Sequence, residues 1–346
     1  MGDNGEHLST RQQDWAARRF AIDDKSTLYE LEFPAPQVTG DEGDGPVLVH
    51  ALEGFADAGH AIKLASDHLR QSLESELVAT FSTDELMDYR SRRPLMTFTG
   101  DQFTDVAMPE LTLHAVRDNN GTPFLLLSGA EPDLRWERFV AAIQGLSDRF
   151  GVSTVIGLNA IPMGIPHTRP STITAHANDK DLIASLPRWG SELKVPASAS
   201  MLLELRLGQH GLTTAGLSVH VPHYLSQAEY PAASHKLLES LGEITGLDLP
   251  TAALANAAEK VRSQVDAEVS GNQEVESVVA ALETQYDTFN QAQQEKASLL
   301  AAEGDLPTGD ELGAELERFL ATQTGEAGSD RNSDDDLGQA GGGTAG

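Results

Sequence analysis

The stretch from Pro46 to Phe81 constrains the fold more than any other part of the chain. Pro46–Leu52 (PVLVHAL) is a short apolar run rich in β-branched residues, the length of a buried strand. Glu53-Gly54-Phe55-Ala56-Asp57 breaks the run, and Asp57 stands where a helix N-cap is needed. Ala58, Ile62, Ala65, Leu69 and Leu73 follow at steps of three and four, which makes one apolar stripe on a helix. A further strand is expected near Glu76–Phe81 (ELVATF). Such a strand–helix–strand unit joins two parallel strands and seeds an α/β sheet.

The pattern continues on both sides. Residues 1–25 read as a flexible polar arm, Ser26–Phe33 (STLYELEF) alternates like a strand, and Pro34–Gly45 is a loop. Strands at Leu111–Val116 and Phe124–Leu127 flank Asn119-Asn120-Gly121, a hairpin signal. A helix from Asp133 to Phe150 places Trp136, Phe139, Val140, Ile143, Leu146 and Phe150 on its buried face. Then come a strand at Ser153–Asn159, helices at Asp179–Leu186 and Ala199–Leu207, a strand at Gly216–Val221 and a helix at Pro231–Leu241. The alternation predicts an α/β core domain over residues 26–245, with three α/β/α layers around a mostly parallel or mixed sheet.

Beyond Thr245 the signal changes to a helical extension, residues 246–320. Leu254, Val261, Val265 and Val269 lie at helical spacing, and Val275, Val278, Leu282, Tyr286 and Phe289 form a second series after Gly271. This pair reads either as a lid over the sheet or as a surface for an oligomer or partner. A short helix is expected at Leu306–Leu320. Residues 321–346 form an acidic Gly-rich tail that cannot bury enough apolar area to offset its ordering entropy, so disorder is expected.

Composition removes several function classes. The chain has 24 Lys and Arg against 53 Asp and Glu, a formal charge of −29, which repels nucleic acid and anionic membranes. It has no cysteine, so thiolate nucleophiles, zinc–thiolate sites and iron–sulfur clusters are excluded. The opening Met1-Gly2-Asp3-Asn4-Gly5-Glu6 is polar and acidic, unlike a secretory signal, and Glu6 does not suit a myristoylation site. No apolar run reaches the roughly 18 residues that span a bilayer. A cytoplasmic protein is the expectation.

Four segments after expected strands carry the chemistry-bearing residues, and such connections form the ligand crevice of a parallel sheet. In Glu53–Gly59 the Gly-x-x-x-x-Gly spacing resembles a phosphate loop, but His60 and Ala61 stand where Lys and Ser or Thr are required. Asp57 there is a capping residue or a ligand contact. In Asp84–Pro94, Asp88, Tyr89, Arg90 and Arg93 form either an ion-pair network or an anion site. Glu131–Arg138 opens the strongest helix: Glu131 and Asp133 suit its positive end, and Glu137 and Arg138 are expected to pair with the arginine loop. In Pro162–Pro170 the prolines stiffen a loop bearing His167, Thr168 and Arg169. His176 follows, and His220-Val221-Pro222-His223-Tyr224 is a similar cluster at a later strand end.

His167 and His223 are the candidate proton-transfer groups, since imidazole titrates near neutral pH. The histidines lack a metal-ligand motif, and neither a Gly-x-Ser-x-Gly elbow nor a Gly-x-Gly-x-x-Gly fingerprint is present, so no metal and no cofactor are expected.

Taken together, Gly54-Phe55-Ala56-Asp57-Ala58-Gly59, Asp88-Tyr89-Arg90-Ser91-Arg92-Arg93-Pro94, Glu131-Pro132-Asp133-Leu134-Arg135-Trp136-Glu137-Arg138-Phe139, Ile161–Pro170 and His220–Leu225 resemble the actinobacterial branch of the proteasome assembly chaperone family. The resemblance runs from about residue 45 to about 290. It implies a three-layer α/β/α fold like that of nucleoside phosphorylases, and self-association, with a trimer as one option. Eukaryotic relatives help assemble the proteasome α-ring, and prokaryotic members carry an ATP-grasp-like label. The chain departs from both patterns. It ends Gly343-Thr344-Ala345-Gly346 rather than hydrophobic-Tyr-x, and no Lys-bearing nucleotide cleft with magnesium carboxylates is assignable. The leading expectation is a non-enzymatic assembly factor with a proteasome-related protein partner. The alternative is a nucleoside-, nucleotide- or other anion-binding enzyme or sensor, in which Arg90, Arg93 and Arg169 hold the anion.

Overall fold

The structure is a computed structural model that describes residues 28–36, 38, 45–188 and 192–300, with side chains described up to residue 291. The arm at 1–25, the helix at 306–320 and the tail at 321–346 lie outside the described residues.

In chain order the elements are β1 (Tyr29–Leu31), β2 (Leu48–Glu53), α1 (Ala61–Ser72), β3 (Glu74–Phe81), α2 (Thr83–Leu86), β4 (Leu95–Thr99), β5 (Gln102–Ala107), β6 (Leu111–Arg117), β7 (Pro123–Ala130) and α3 (Trp136–Phe150). There follow β8 (Thr154–Met163), β9 (Ile173–Ala177), α4 (Ala199–Gln209), β10 (Thr213–Pro222), α5 (Pro231–Thr245), α6 (Ala252–Val269) and α7 (Gln273–Leu300). Eight strands form one mixed sheet in the order β1-β3-β6-β7-β2-β8-β10-β9. The β2–α1–β3 crossover joins parallel strands as expected, but the β6–β7 hairpin is inserted between them in the sheet.

Alternation along each strand sends side chains to two cores, which gives the three layers. On one face Val49, Ile156, Leu217 and Val219 pack with Ile62 and Leu69 of α1 and Leu237 and Leu241 of α5. On the other, Leu48, Leu52, Leu125, Leu127 and Val155 pack with Phe139 and Ile143 of α3 and Leu203 and Leu207 of α4. Each fully buried side chain of this size contributes about 1.5–3 kcal/mol.

Four sequence expectations need correction. Asp179–Leu186 is bends and turns rather than a helix. There Asp181 N–H bonds Asp179 Oδ1, and such local side-chain bonds compete with helix formation. The strand expected to end at Asn159 continues to Met163, so Pro162 and Met163 belong to the sheet, paired in register with Val221 and Pro222. Trp136 is half-buried rather than core, because it sits at the mouth of a cavity. On α7 the buried residue is Val279, whereas Val275 and Val278 are exposed.

Strand β9, the short helix α2 and the β4–β5 pair went unread in the sequence. β4 and β5 form a separate two-stranded antiparallel ribbon. Leu95, Met96, Phe98 and Phe103 are all exposed on it, Leu95 to 81%.

By internal contacts the chain divides into two units. The first spans residues up to Gly190 together with Lys194–Asp287 and carries the whole sheet. The second comprises Ser191–Leu193 and Thr288–Gly346, described only in part. No helix among the described residues is long and apolar enough to cross a membrane.

Candidate functional site at the carboxyl edge of the sheet

β2 is parallel to β7 and β8, and β8 to β10. β3 is antiparallel to β6, and β6 to β7, so β3 shares their direction. The carboxyl ends of these five strands therefore lie along one edge, and the segments carrying Tyr89, Trp136, His167 and His223 all leave from it. There the candidate residues gather into two clusters.

The first cluster surrounds a cavity of about 450 Å³ lined by residues that include Gly54, Phe55, Arg92, Glu131, Trp136 and Ser198. Glu131 follows β7 and is buried. Its Oε2 accepts the Phe55 N–H at 3.0 Å and its Oε1 accepts the Ser200 N–H at 3.3 Å. Glu131 thereby ties the loop after β2 to the first turn of α4. Gly54 is required for this approach, since a Cβ there would lie 2.3 Å from Glu131 Oε2. The N-cap position of α1 is His60 rather than Asp57, which precedes a short 3₁₀ turn at Ala58–His60; Asp57 still accepts the Ile62 N–H in the first turn of α1 at 2.7 Å. Burial, the largest influence, pushes the Asp57 carboxyl above its usual range, and Glu53 likewise.

The arginine loop is largely an ion-pair network. Arg92 binds Asp133 and the Glu131 carbonyl, and Asp133 Oδ2 accepts the Asp88 N–H at 2.9 Å. Tyr89 donates to Asp84 at 2.8 Å. Asp88 accepts the Arg90 N–H at 2.9 Å, which shapes the turn. Arg90 and Arg93 are exposed, and Arg93 lines a second, smaller cavity at the foot of the β4–β5 ribbon. Of the two residues expected to pair with this loop, Arg138 does so at Glu85, whereas Glu137 pairs with Arg206 of α4.

The second cluster joins the β8 and β10 ends to α6 and α7. His167 is buried; its N–H donates to Tyr224 Oη at 2.8 Å, and its Nδ1 lies 2.7 Å from the same hydroxyl. The Tyr224 proton therefore goes to Nδ1, which leaves Nε2–H to donate to Asp266 of α6 at 3.1 Å. Burial, more than any other cause, pushes the Tyr224 hydroxyl up to about 12, so it stays protonated. Arg169 forms a two-pronged pair with Asp287 at 2.9 and 2.7 Å and reaches Glu283 at 3.1 Å. Its bond to Asp287, the largest influence, raises the guanidinium further and lowers the Asp287 carboxyl. Thr168 donates to Glu283, and Tyr286 donates to the Pro170 carbonyl at 2.9 Å. His220 sits between the Thr172 and Thr174 hydroxyls, and burial lowers its proton affinity. His223 is exposed, its ring edge-on to Tyr224.

His176 is not part of this edge. It lies within the sheet on β9, 3.0 Å from Glu204 of α4. Sequence reasoning also passed over Arg92, Glu204, Asp266, Glu283 and Asp287. Glu283 and Asp287 are four residues apart on one face of α7, a legible spacing, but nothing local says that the face meets Arg169.

The mixed eight-stranded sheet between two helical layers, with a helical pair clamped over its carboxyl edge, defines the class: a three-layer α/β/α protein with an added helical cover. A sequence model described as the PAC2 family matches residues 51–269, and the chain belongs to that family. Among solved structures, it is 58% identical to a Mycobacterium tuberculosis protein of unknown function, covering 76% of this chain and 92% of that one, with a TM-score of 0.74. It is 46% identical to a Corynebacterium glutamicum protein of unknown function, covering 77% and 99%, with a TM-score of 0.73. A M. tuberculosis proteasome-assembly chaperone homologue shares the fold at 24% identity and a TM-score of 0.62, covering 67% and 99%. No curated protein matches the chain.

Proposed function

We propose that this chain is a non-enzymatic, protein-binding factor of assembly-chaperone type, which associates with copies of itself and with a proteasome-related partner. One observation carries the reading: Arg169 and His167, two of the polar groups expected to do chemistry, are already engaged. Arg169 is held by two carboxylates, and His167 is spanned by Tyr224 and Asp266. An arginine saturated by acids is a scaffold element rather than an anion trap. The fold shared with a proteasome-assembly chaperone homologue supports the choice of partner.

The β4–β5 ribbon supports self-association. A two-stranded ribbon with both faces in water is marginally stable alone, and a cluster of exposed apolar side chains marks a protein contact site. Light scattering on size-exclusion fractions tests this. The wild type is expected at a multiple of 37.0 kDa, and Phe98→Ser/Phe103→Ser near a single copy. Purified proteasome α-subunits should be retained by the wild-type protein. A wild-type monomer that retains none of them removes the reading.

The cavity beside Arg92 supports a second reading, a nucleoside-, nucleotide- or anion-binding enzyme or sensor, with Phe55 and Trp136 as flat walls. A ligand present at about 100 times its Kd stabilises by about 2.7 kcal/mol. A thermal-shift panel of nucleosides, nucleotides and phosphate with no response ends it.

A further inference from the structure

His50, Gly157, Gly216 and His176 form one row across four neighbouring strands. Register pairs His50 with Gly157, Gly157 with Gly216, and Gly216 with His176. Directly paired residues face the same side of a sheet, so the row lies under α4, whose Ser200 and Glu204 reach it. The two central positions carry no side chain, and the imidazoles lie over them. A Cβ on Gly157 would stand 2.7 Å from His50 Nε2. One on Gly216 would stand 2.4 Å from His176 Nε2 and 2.8 Å from Glu204 Oε2. Adjacent strands are about 4.8 Å apart, so the Glu204 carboxylate and the His50 ring occupy neighbouring places in the row.

The two imidazoles are differently placed. The His176 side chain is 54% exposed and pairs with Glu204. His50 is fully buried: its Nδ1 is 3.2 Å from Ser200 Oγ, and its Nε2 has no partner. Leaving a buried ring nitrogen unpaired costs stability. The cost is explained if the nitrogen is a standby partner for the carboxylate beside it.

We propose that Glu204 is a pH-operated switch that passes between His176 at the sheet rim and His50 inside. With His176 protonated, Glu204 holds it as an ion pair, and His50 carries its proton on Nδ1, donating to Ser200 Oγ. When His176 loses that proton, the carboxylate loses its counter-ion in a low-dielectric setting. It then takes the Nε2–H of His50, and the Ser200 hydroxyl turns to donate to Nδ1. Ser200 also meets Glu131 through its backbone N–H, so the row adjoins the wall of the carboxyl-edge cavity.

The charged groups facing the row are few. Glu204 comes from α4 and His176 from β9, while Glu131 meets α4 at Ser200; Arg206 of α4 is turned outward to Glu137 of α3. The proton affinities suit the exchange. The Glu204 bond, the largest influence, raises that of His176, while burial lowers His50 to about 4, so His50 stays neutral as His176 titrates. The trio is not a metal centre: among the described residues no group of three such side chains is placed to hold an ion.

Ring-nitrogen NMR of the full-length protein across neutral pH tests the switch. In the wild type, His50 should change from Nδ1–H to Nε2–H with the midpoint at which His176 titrates. In His176→Ala, whose site is half exposed, His50 should remain Nε2–H throughout. In Glu204→Gln the midpoint should no longer move His50. A His50 ring that keeps one tautomer while His176 titrates overturns the proposal, as does an unchanged swap in His176→Ala.

Discussion

Removing the Glu131 carboxylate should be among the costliest single changes at the sheet's carboxyl edge. Glu131→Ala strips the acceptor from two backbone donors, Phe55 N–H at 3.0 Å and Ser200 N–H at 3.3 Å, in a residue that is 7% exposed. Each orphaned buried donor costs about 1–3 kcal/mol, and the longer Ser200 bond belongs at the low end. The sum is about 2–5 kcal/mol. For a chain of this size about 1 kcal/mol moves Tm by about 2 °C, so the variant should melt about 4–10 °C below wild type. Glu131→Gln keeps one oxygen acceptor and should lose roughly half as much. Thermal denaturation followed by circular dichroism reads the effect. Gly54→Ala supplies an internal check, because its Cβ would meet Glu131 Oε2 at 2.3 Å and Glu131 Cβ at 2.7 Å. The two substitutions touch the same atoms, so their costs should not add. A Glu131→Ala protein that melts with wild type, or strict additivity with Gly54→Ala, would refute this account of how the edge is held.

The remaining predictions concern the clamp and the histidines. Arg169→Ala should leave the sheet intact but speed hydrogen exchange in α7, because Glu283 and Asp287 lose their shared cation; unchanged exchange would mean that the clamp holds nothing. His50 is neutral when folded, with its pKa lowered from 6.5 to about 4, so the unfolded chain binds the extra proton. Stability should therefore fall as pH drops from 6.5 towards about 4, by up to about 3 kcal/mol from this residue. His114, also lowered to about 4, adds to the same acid slope. His176 has the opposite sign: its folded pKa is raised, so its contribution is full below 6.5 and fades as pH rises through the folded value. Denaturant midpoints of wild type and His176→Ala across that range separate the two. Gly216→Ala should push the half-exposed His176 ring out of the row, since its Cβ would lie 2.3 Å from His176 Cε1, and NMR of that ring reads the displacement.

Much of this molecule was legible in one dimension. The stripe in α1 lies against the sheet as its spacing requires, with Ile62, Ala65 and Leu69 buried. Rules that act within a few residues also placed β7, β10, α5 and α6, because periodicity records which side of an element must leave water. Those rules fail where a local bond competes, as at Asp179, and where a side chain's use depends on a partner far along the chain. The β4–β5 ribbon does carry a hairpin alternation around Gly100-Asp101, but its apolar side chains face water and so give no core signal. The charged loops were visible as candidates, but not whether their arginines were free. That answer lay in Asp133, Glu283 and Asp287, which the fold brings to Arg92 and Arg169.

Sequence by itself therefore determined most strands of the main sheet, most helices and the family, through hydrophobic periodicity and a set of loop motifs. Apart from the β6–β7 hairpin, only the tertiary structure decided which strands are neighbours. Register across β2, β8, β10 and β9 places two histidines over two glycines, and α4 lowers Glu204 between them. Pairing between strands is set by contacts among residues far apart in the chain, and no local pattern encodes them.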